Sequence, residues 1–357
     1  MKPILYYISG HGFGHAVRSA LVIRELYRRG MESHIVTSAP RFIFDCNLRG
    51  VPFHYHFLES DIGVRQRGSL EVDLPSTVTA WEECLARKEE WLAGQLTLCR
   101  EIRPAAVVSD IVPFAFPLAR RAGLPSFLLA TFTWDWILNF YREEDPRFGR
   151  VAERLHEAYL EADHLIYTPL SFALPPVKNQ SFVPLIGNRS CSSREDLRLD
   201  LGLDARPVYL LSFGGFGVRE IDKMRLEEMK ECQFLFLGER EERKGNIVIY
   251  PQDKIRHEDL VSVSRAVITK PGYGVSSEAI LNRVPMIHTS RGKFAEYEPL
   301  VAALGRYIPL AYISQEELFQ GGLRFCLERP LEFSEDLLTD SGRGAEGAAE
   351  VIVAGGA

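Results

Sequence analysis

Short, uninterrupted apolar runs recur along this chain with room for one helix between each and the next, and this alternation restricts the fold more than any other feature. Ile4 to Ser9 form the first run, and it ends in the turn GHGFGH. Val17, Ala20, Leu21, Ile23, Leu26 and Tyr27 then return at three- and four-residue spacing until Gly30, which predicts strand, glycine turn and helix. The pattern repeats through SHIVT, PFHYHFL, a long helical stretch from about Ser76 to Arg103, AAVVS, SFLLAT and a strand from Asp163 to Thr168. Strands apolar at every position are buried on both faces, so the series predicts a parallel sheet covered by helices on both sides.

The stretch LPPVKNQSFVPLIGNRSCSSRED is rich in Pro, Ser and Asn and has no periodicity, as expected of a linker. A second alternating series follows: PVYLL, QFLFLG, NIVIY, RAVIT and VPMIHTS. A chain of 357 residues exceeds the usual size of one core, so two tandem doubly wound, Rossmann-like α/β domains are expected, with a cleft between them. The predicted limits are residues 1–174 for the first domain, 175–204 for the linker, 205–340 for the second domain and 341–357 for a C-terminal helix and tail.

Charge and cysteine usage narrow the partners. With 42 basic against 48 acidic residues there is no field to attract a polyanion, which argues against nucleic acid. The six cysteines (Cys46, Cys84, Cys99, Cys191, Cys232 and Cys326) form no C-x-x-C pair, so they read as thiols in a reducing compartment. The apolar run of MKPILYYISGHG is too short for a signal core or a membrane span, and a cytoplasmic location is expected. Contact with a membrane surface is compatible with the sequence but not called for.

In doubly wound sheets ligands lie beyond the carboxyl ends of the strands, so the loops there carry the chemistry. The first holds Gly10, His11, Gly12, Gly14 and His15. Its G-x-G-x-G spacing, and a second strand ending in Thr37, Ser38 and Ala39 without an acidic residue, exclude a dinucleotide fingerprint. Glycines at a helix start leave backbone amides for an anion, and an imidazole at His15 can take the proton of an attacking hydroxyl. Asp110, directly after AAVVS, is the carboxylate expected to orient that imidazole. His11 reads more simply as a structural histidine.

Two loops of the second series suit a diphosphate. Gly214 and Gly215 in SFGGFG would let the main chain approach it closely. The segment Lys270, Gly272, Gly274, Ser276, Ser277, Glu278 opens a helix after RAVIT, with hydroxyls for the pyrophosphate and a carboxylate for a ribose. Glu296 and Glu298, after VPMIHTS, are candidates for a sugar's hydroxyls.

The segments GHGFGHAVRS, VVSDIVPFAFPLARRAGLPS, TFTWDW, SFGGFG and KPGYGVSSEAILNRVPMIHTSRGKFAEYEP, in this order, resemble the glycosyltransferase-like N-terminal region of plant L-arabinokinases over nearly the whole chain. No glycine-serine ATP loop of the kind in the kinase domain of those proteins occurs in this sequence, so a sugar-kinase function is not expected of it. More distantly the chain is similar to the GT-B family that includes the UDP-N-acetylglucosamine transferase of lipid-linked peptidoglycan synthesis. That likeness places the family's first-loop histidine on His15 and its serine and ribose-binding glutamate on Ser277 and Glu278. The family's glutamine-and-asparagine sugar loop is replaced by Glu296, Tyr297 and Glu298. The resemblance implies a GT-B fold and an inverting, metal-independent glycosyltransferase that uses a nucleotide-sugar, a UDP-sugar by analogy, as co-substrate and no cofactor. The acceptor, a sugar, lipid or small molecule, is not specified. Two other readings stay open: a nucleotide-sugar epimerase or hydrolase on the same scaffold, and a non-catalytic nucleotide-sugar sensor.

Overall fold

The computed structural model describes residues 2–67, 71–213, 221–324 and 331–356. Its first sheet contains β1 (Ile4–Ile8), β2 (Ser33–Thr37), β3 (His54–Phe57), β6 (Ala106–Asp110), β7 (Ser126–Ala130), β8 (His164–Tyr167) and β9 (Asn179–Phe182), while β4 (Gln66–Arg67) and β5 (Glu71–Val72) form a separate short ribbon. The strand order is β3-β2-β1-β6-β7-β8-β9 and every pairing is parallel. All five residues of β1 are buried, and they divide by alternation. Ile4, Tyr6 and Ile8 pack against the helix Phe13–Arg28 and the last helix, Gly344–Gly356. Leu5 and Tyr7 pack against the helices Lys88–Ile102 and Ala115–Ala122 on the other face.

The second sheet holds β10 (Val208–Leu211), β11 (Gln233–Gly238), β12 (Glu242–Lys244), β13 (Ile247–Pro251), β14 (Ala266–Thr269), β15 (Met286–His288) and β16 (Leu310–Tyr312) in the order β12-β13-β11-β10-β14-β15-β16. Only the edge strand β12 is antiparallel to its neighbour. Tyr209 and Leu211 face one core and Val208 and Leu210 the other, so this sheet too is covered on both faces.

The structure departs from the sequence reading at two places. The helical stretch expected as one element from Ser76 to Arg103 is two helices, Leu74–Ala86 and Lys88–Ile102. They break at Arg87 because Trp81 and Val78 are buried in one cluster whereas Leu92 and Cys99 are buried in another. The first starts early because the Asp73 side chain accepts from Ser76 N at 3.2 Å. The first domain also extends past residue 174, since β9 from the expected linker adds to the sheet edge, where its mostly exposed NQSF sequence needs only one neighbour. The last helix, Gly344–Gly356, crosses back to lie on the first domain, with Ala348, Ala349 and Ile352 in its core.

Candidate functional site

The order of the strands brings the two key loops of the first domain together. β1 and β6 are neighbours, with Ile8 opposite Asp110, and the chain reverses its direction of winding between them. Helix Phe13–Arg28 starts just beyond β1, and Gly12 caps it with φ +76°, a conformation that a side chain would strain. Gly10 does not line the cleft but packs on β2's following loop, where a Cβ would fall 1.9 Å from Ser38 Oγ.

His15 is on the first turn of that helix, and its Nδ1 is 2.8 Å from Asp110 Oδ1. Asp110 is wholly buried and also accepts from Arg18 Nε at 2.9 Å, Arg18 Nη2 at 2.5 Å and Ser19 Oγ at 2.9 Å. Burial alone would push this carboxyl up, but the Arg18 guanidinium and His15 hold it at about 2. An ionised Asp110 only accepts, so the 2.8 Å contact sets the tautomer with the proton on His15 Nδ1 and leaves Nε2 able to take another. Arg18 is a second link: its Nη1 donates to Thr131 Oγ1 at 3.1 Å and its guanidinium carbon is 5.0 Å from the centre of the Tyr273 ring in the other domain.

His11 faces the same space with its ring edge-on to Trp134 at 5.2 Å. Burial, then the positive fields of His15, Arg291 and Lys270, push it down to about 3, so it is neutral in the folded protein. Trp134 Nε1 in turn donates to the buried Asp61 at 2.7 Å.

A cleft of about 540 Å³ separates the domains and is lined by Gly12, Gly14 and His15 on one side and by Lys270, Gly272 and Glu278 on the other. The helix Tyr273–Leu281 points its N-terminus into this cleft, so two helix starts meet there. They meet closely, since a Cβ on Gly274 would be 3.4 Å from Gly14 Cα. Lys270 lies beside them, and burial followed by the charge of Arg291 lowers it to about 8. Tyr273 ties the domains further, its hydroxyl accepting from Thr168 Oγ1 at 3.1 Å and from Ile186 N at 3.0 Å.

One turn into this helix, Glu278 is bonded to His257 Nδ1, while His257 Nε2 is 2.8 Å from Ser212 Oγ. Burial opposes the charge on His257, but Glu278 outweighs it and raises the imidazole above its ordinary value. Glu258, also buried, is raised by burial and then by Glu278, and it takes a hydrogen bond from Arg256.

Ser276 and Ser277, expected to donate to a pyrophosphate, are turned into the domain instead. A helix presents residues three and four apart on one side, so Gly274, Val275 and Glu278 face the cleft and the two serines do not. Ser277 Oγ donates to Gly274 O at 2.9 Å, and a Cβ on Gly187 of the connecting segment would meet it at 2.7 Å. Glu296 lines the cleft and accepts from Arg291 Nη1 at 2.9 Å, whereas Glu298 is exposed outside it. Gly214 and Gly215 lie outside the described residues. Arg18, His257 and Arg291 were missed by sequence reasoning. Only Arg18 left a trace there, as a charge three residues after His15 on an otherwise apolar helix face. Among the described residues no group of three or more His, Cys, Asp or Glu side chains is arranged to hold a metal ion, and no helix is long and apolar enough to cross a membrane.

Residues 2–168, a little under half the chain, match the profile described as Glycosyl transferase family 1. The L-arabinokinase of Arabidopsis thaliana is 30% identical over 303 residues, which cover 83% of this chain and 29% of that protein. The chain therefore spans about three-tenths of the length of this curated relative. Among solved structures, UGT2 of Phytolacca americana, complexed with UDP-2-fluoro-glucose and pterostilbene, superposes with a TM-score of 0.61 at 15% identity, covering 98% of this chain and 94% of that one. MurG of Acinetobacter baumannii gives 0.56 at 14% identity, covering 99% and 100%. The chain has the GT-B fold. The GT-B cleft is the one between β1–β6 and β10–β14, and it holds His15, Asp110, Lys270 and Glu278.

Proposed function

We propose that this protein is an inverting glycosyltransferase that moves a sugar from a nucleoside diphosphate, UDP in the first instance, to an acceptor hydroxyl without a metal ion. The observation that carries this reading is the position of the His15–Asp110 pair, 2.8 Å apart, in the same cleft as the two helix N-termini and Glu278. In such a site His15 Nε2 removes the proton of the acceptor hydroxyl as its oxygen attacks the anomeric carbon, and the bond from that carbon to the diphosphate oxygen breaks. The electron pair leaves with the diphosphate. A single displacement inverts the anomeric centre.

The imidazolium formed on His15 is stabilised by Asp110, which stays ionised because Arg18 holds it so. The amides at the starts of helices Phe13–Arg28 and Tyr273–Leu281, together with Lys270, face the growing charge of the leaving group and replace what a cation would supply. Glu278, oriented by His257, accepts from the ribose hydroxyls. Two matched structures support the choice of ligand class only by what they contain: the Phytolacca protein holds a UDP-sugar analogue, and UGT89C1 of Arabidopsis thaliana holds UDP-L-rhamnose.

Calorimetric titration with UDP, dTDP, GDP and their sugars, with and without EDTA, tests the donor site. Micromolar binding of one series, lost in Glu278→Ala and indifferent to EDTA, supports the reading. Product analysis with a mixed panel of acceptors then separates a new glycoside from free sugar or an epimer, either of which would replace transfer by hydrolysis or epimerisation.

A further inference from the structure

Arg24 stands on the helix Phe13–Arg28 two and a half turns below His15, on the side that faces the second domain, and it lines the cleft. Its Nε is inaccessible and has no hydrogen-bond partner among the described residues. The carboxylates nearest to it are engaged elsewhere, Glu25 by Arg28 and Arg29 on the same helix and Glu258 by Arg256 across the cleft. Nε is covered by protein and cannot itself meet a ligand, but the rest of the guanidinium likewise has no hydrogen bond or ion pair among the described residues, and since it offers only donors, its remaining N–H groups at the cleft wall are left for an incoming acceptor. Burial and then the charge of Arg28 lower its pKa, with Arg256 acting in the same sense and Glu25 and Glu258 against it, so the side chain is held in an unfavourable place that an added acceptor would relieve.

Glu258 and His257, which orients Glu278, lie on the same turn of the second domain. Arg24 therefore faces the nucleoside end of the cleft and not the end where His15 works. We infer that Arg24 is the first domain's side-chain contact with the bound nucleotide: it donates to an oxygen of the nucleoside diphosphate and closes the two domains on it. This rests on the nucleotide-sugar reading above and adds a side-chain contact from the first domain, which otherwise meets the leaving diphosphate only through the amides at the start of the helix Phe13–Arg28. A ligand held from both sides orders the cleft before the acceptor hydroxyl is deprotonated.

The test is calorimetric titration of the full chain with UDP, alongside urea denaturation without ligand. Losing a charged hydrogen bond weakens binding by about 10- to 100-fold, which is the effect expected for Arg24→Met, with part of the affinity kept in Arg24→Lys and none lost in Arg28→Met, an exposed neighbour one turn on. The ligand-free urea midpoint of Arg24→Met is expected at the wild-type value or above, since no native partner is removed. Should Arg24→Met unfold, Arg24→Lys carries the same comparison. Wild-type affinity in Arg24→Met, with binding lost in Glu278→Ala, overturns this inference and leaves the donor site standing. A wild-type protein that binds none of UDP, dTDP and GDP overturns both.

Discussion

Arg18 and Asp110, 92 residues apart in the chain, form a two-pronged ion pair in which Nε meets Oδ2 at 2.9 Å and Nη2 meets Oδ1 at 2.5 Å, both side chains being buried. Arg18 thus satisfies the carboxylate that orients His15 and, through the Tyr273 ring, touches the second domain. Removing one partner of such a pair leaves a buried charge uncompensated, so Arg18→Met is expected to lose about 3–5 kcal/mol of stability, read from urea unfolding. A loss under about 1 kcal/mol would mean that the pair is hydrated in solution and does not fix Asp110.

The same pair sets an acid limit. Asp110 is depressed to about 2 in the folded protein, below the ordinary carboxyl value, so its stabilising contribution is complete above about pH 4 and disappears as pH falls towards 2. On the order of 2 kcal/mol should be lost over that interval. In Asp110→Asn this part of the acid dependence is expected to vanish, which urea midpoints taken at pH 4, 3 and 2 would reveal.

Catalysis should depend on His15 and Asp110 as a unit. His15→Ala is expected to lower turnover by about 10²- to 10⁴-fold while UDP affinity holds within a factor of about two. Asp110→Asn should approach the same loss, because the amide no longer stabilises the imidazolium. If Asp110→Asn turns over at the wild-type rate with its acceptor, the orienting role is excluded.

Lys270 predicts a pH dependence of donor binding with a definite sign. Its pKa is lowered to about 8, so the free protein loses this positive charge as pH rises through 8. An anion favours the protonated form, and UDP affinity should decline above pH 8. Arg at this position keeps its charge, so Lys270→Arg is expected to bind evenly from pH 7 to 9; an identical decline in that variant would assign the effect to another group.

The serines separate ligand contact from packing. Ser277→Ala is expected to leave UDP affinity within about twofold, since its hydroxyl bonds Gly274 O inside the domain. Gly187→Val, which drives a side chain into Ser277, should instead destabilise by about 1–3 kcal/mol. A tenfold weaker affinity in Ser277→Ala would show that the helix turns on binding.

How much of this was written locally is visible residue by residue. Apolar runs such as Ile4–Ile8 and Ala266–Thr269, each followed by a glycine loop and a helix, determined two tandem parallel sheets and put His15, Asp110, Lys270 and Glu278 at strand ends, because burial on both faces is a property of each segment alone. The tertiary structure decided what no segment contains. β6 lies beside β1 only because of the order in which the crossovers were laid down, and that order brings Asp110 to His15. The break at Arg87 follows from two cores competing for one helical stretch. Which side of the helix Tyr273–Leu281 faces the cleft depends on where the domain sits, and so Glu278 looks into it while Ser276 and Ser277 look away. Arg18 with Asp110, and His257 with Glu278, are contacts at long sequence separation, and periodicity carries no information about them.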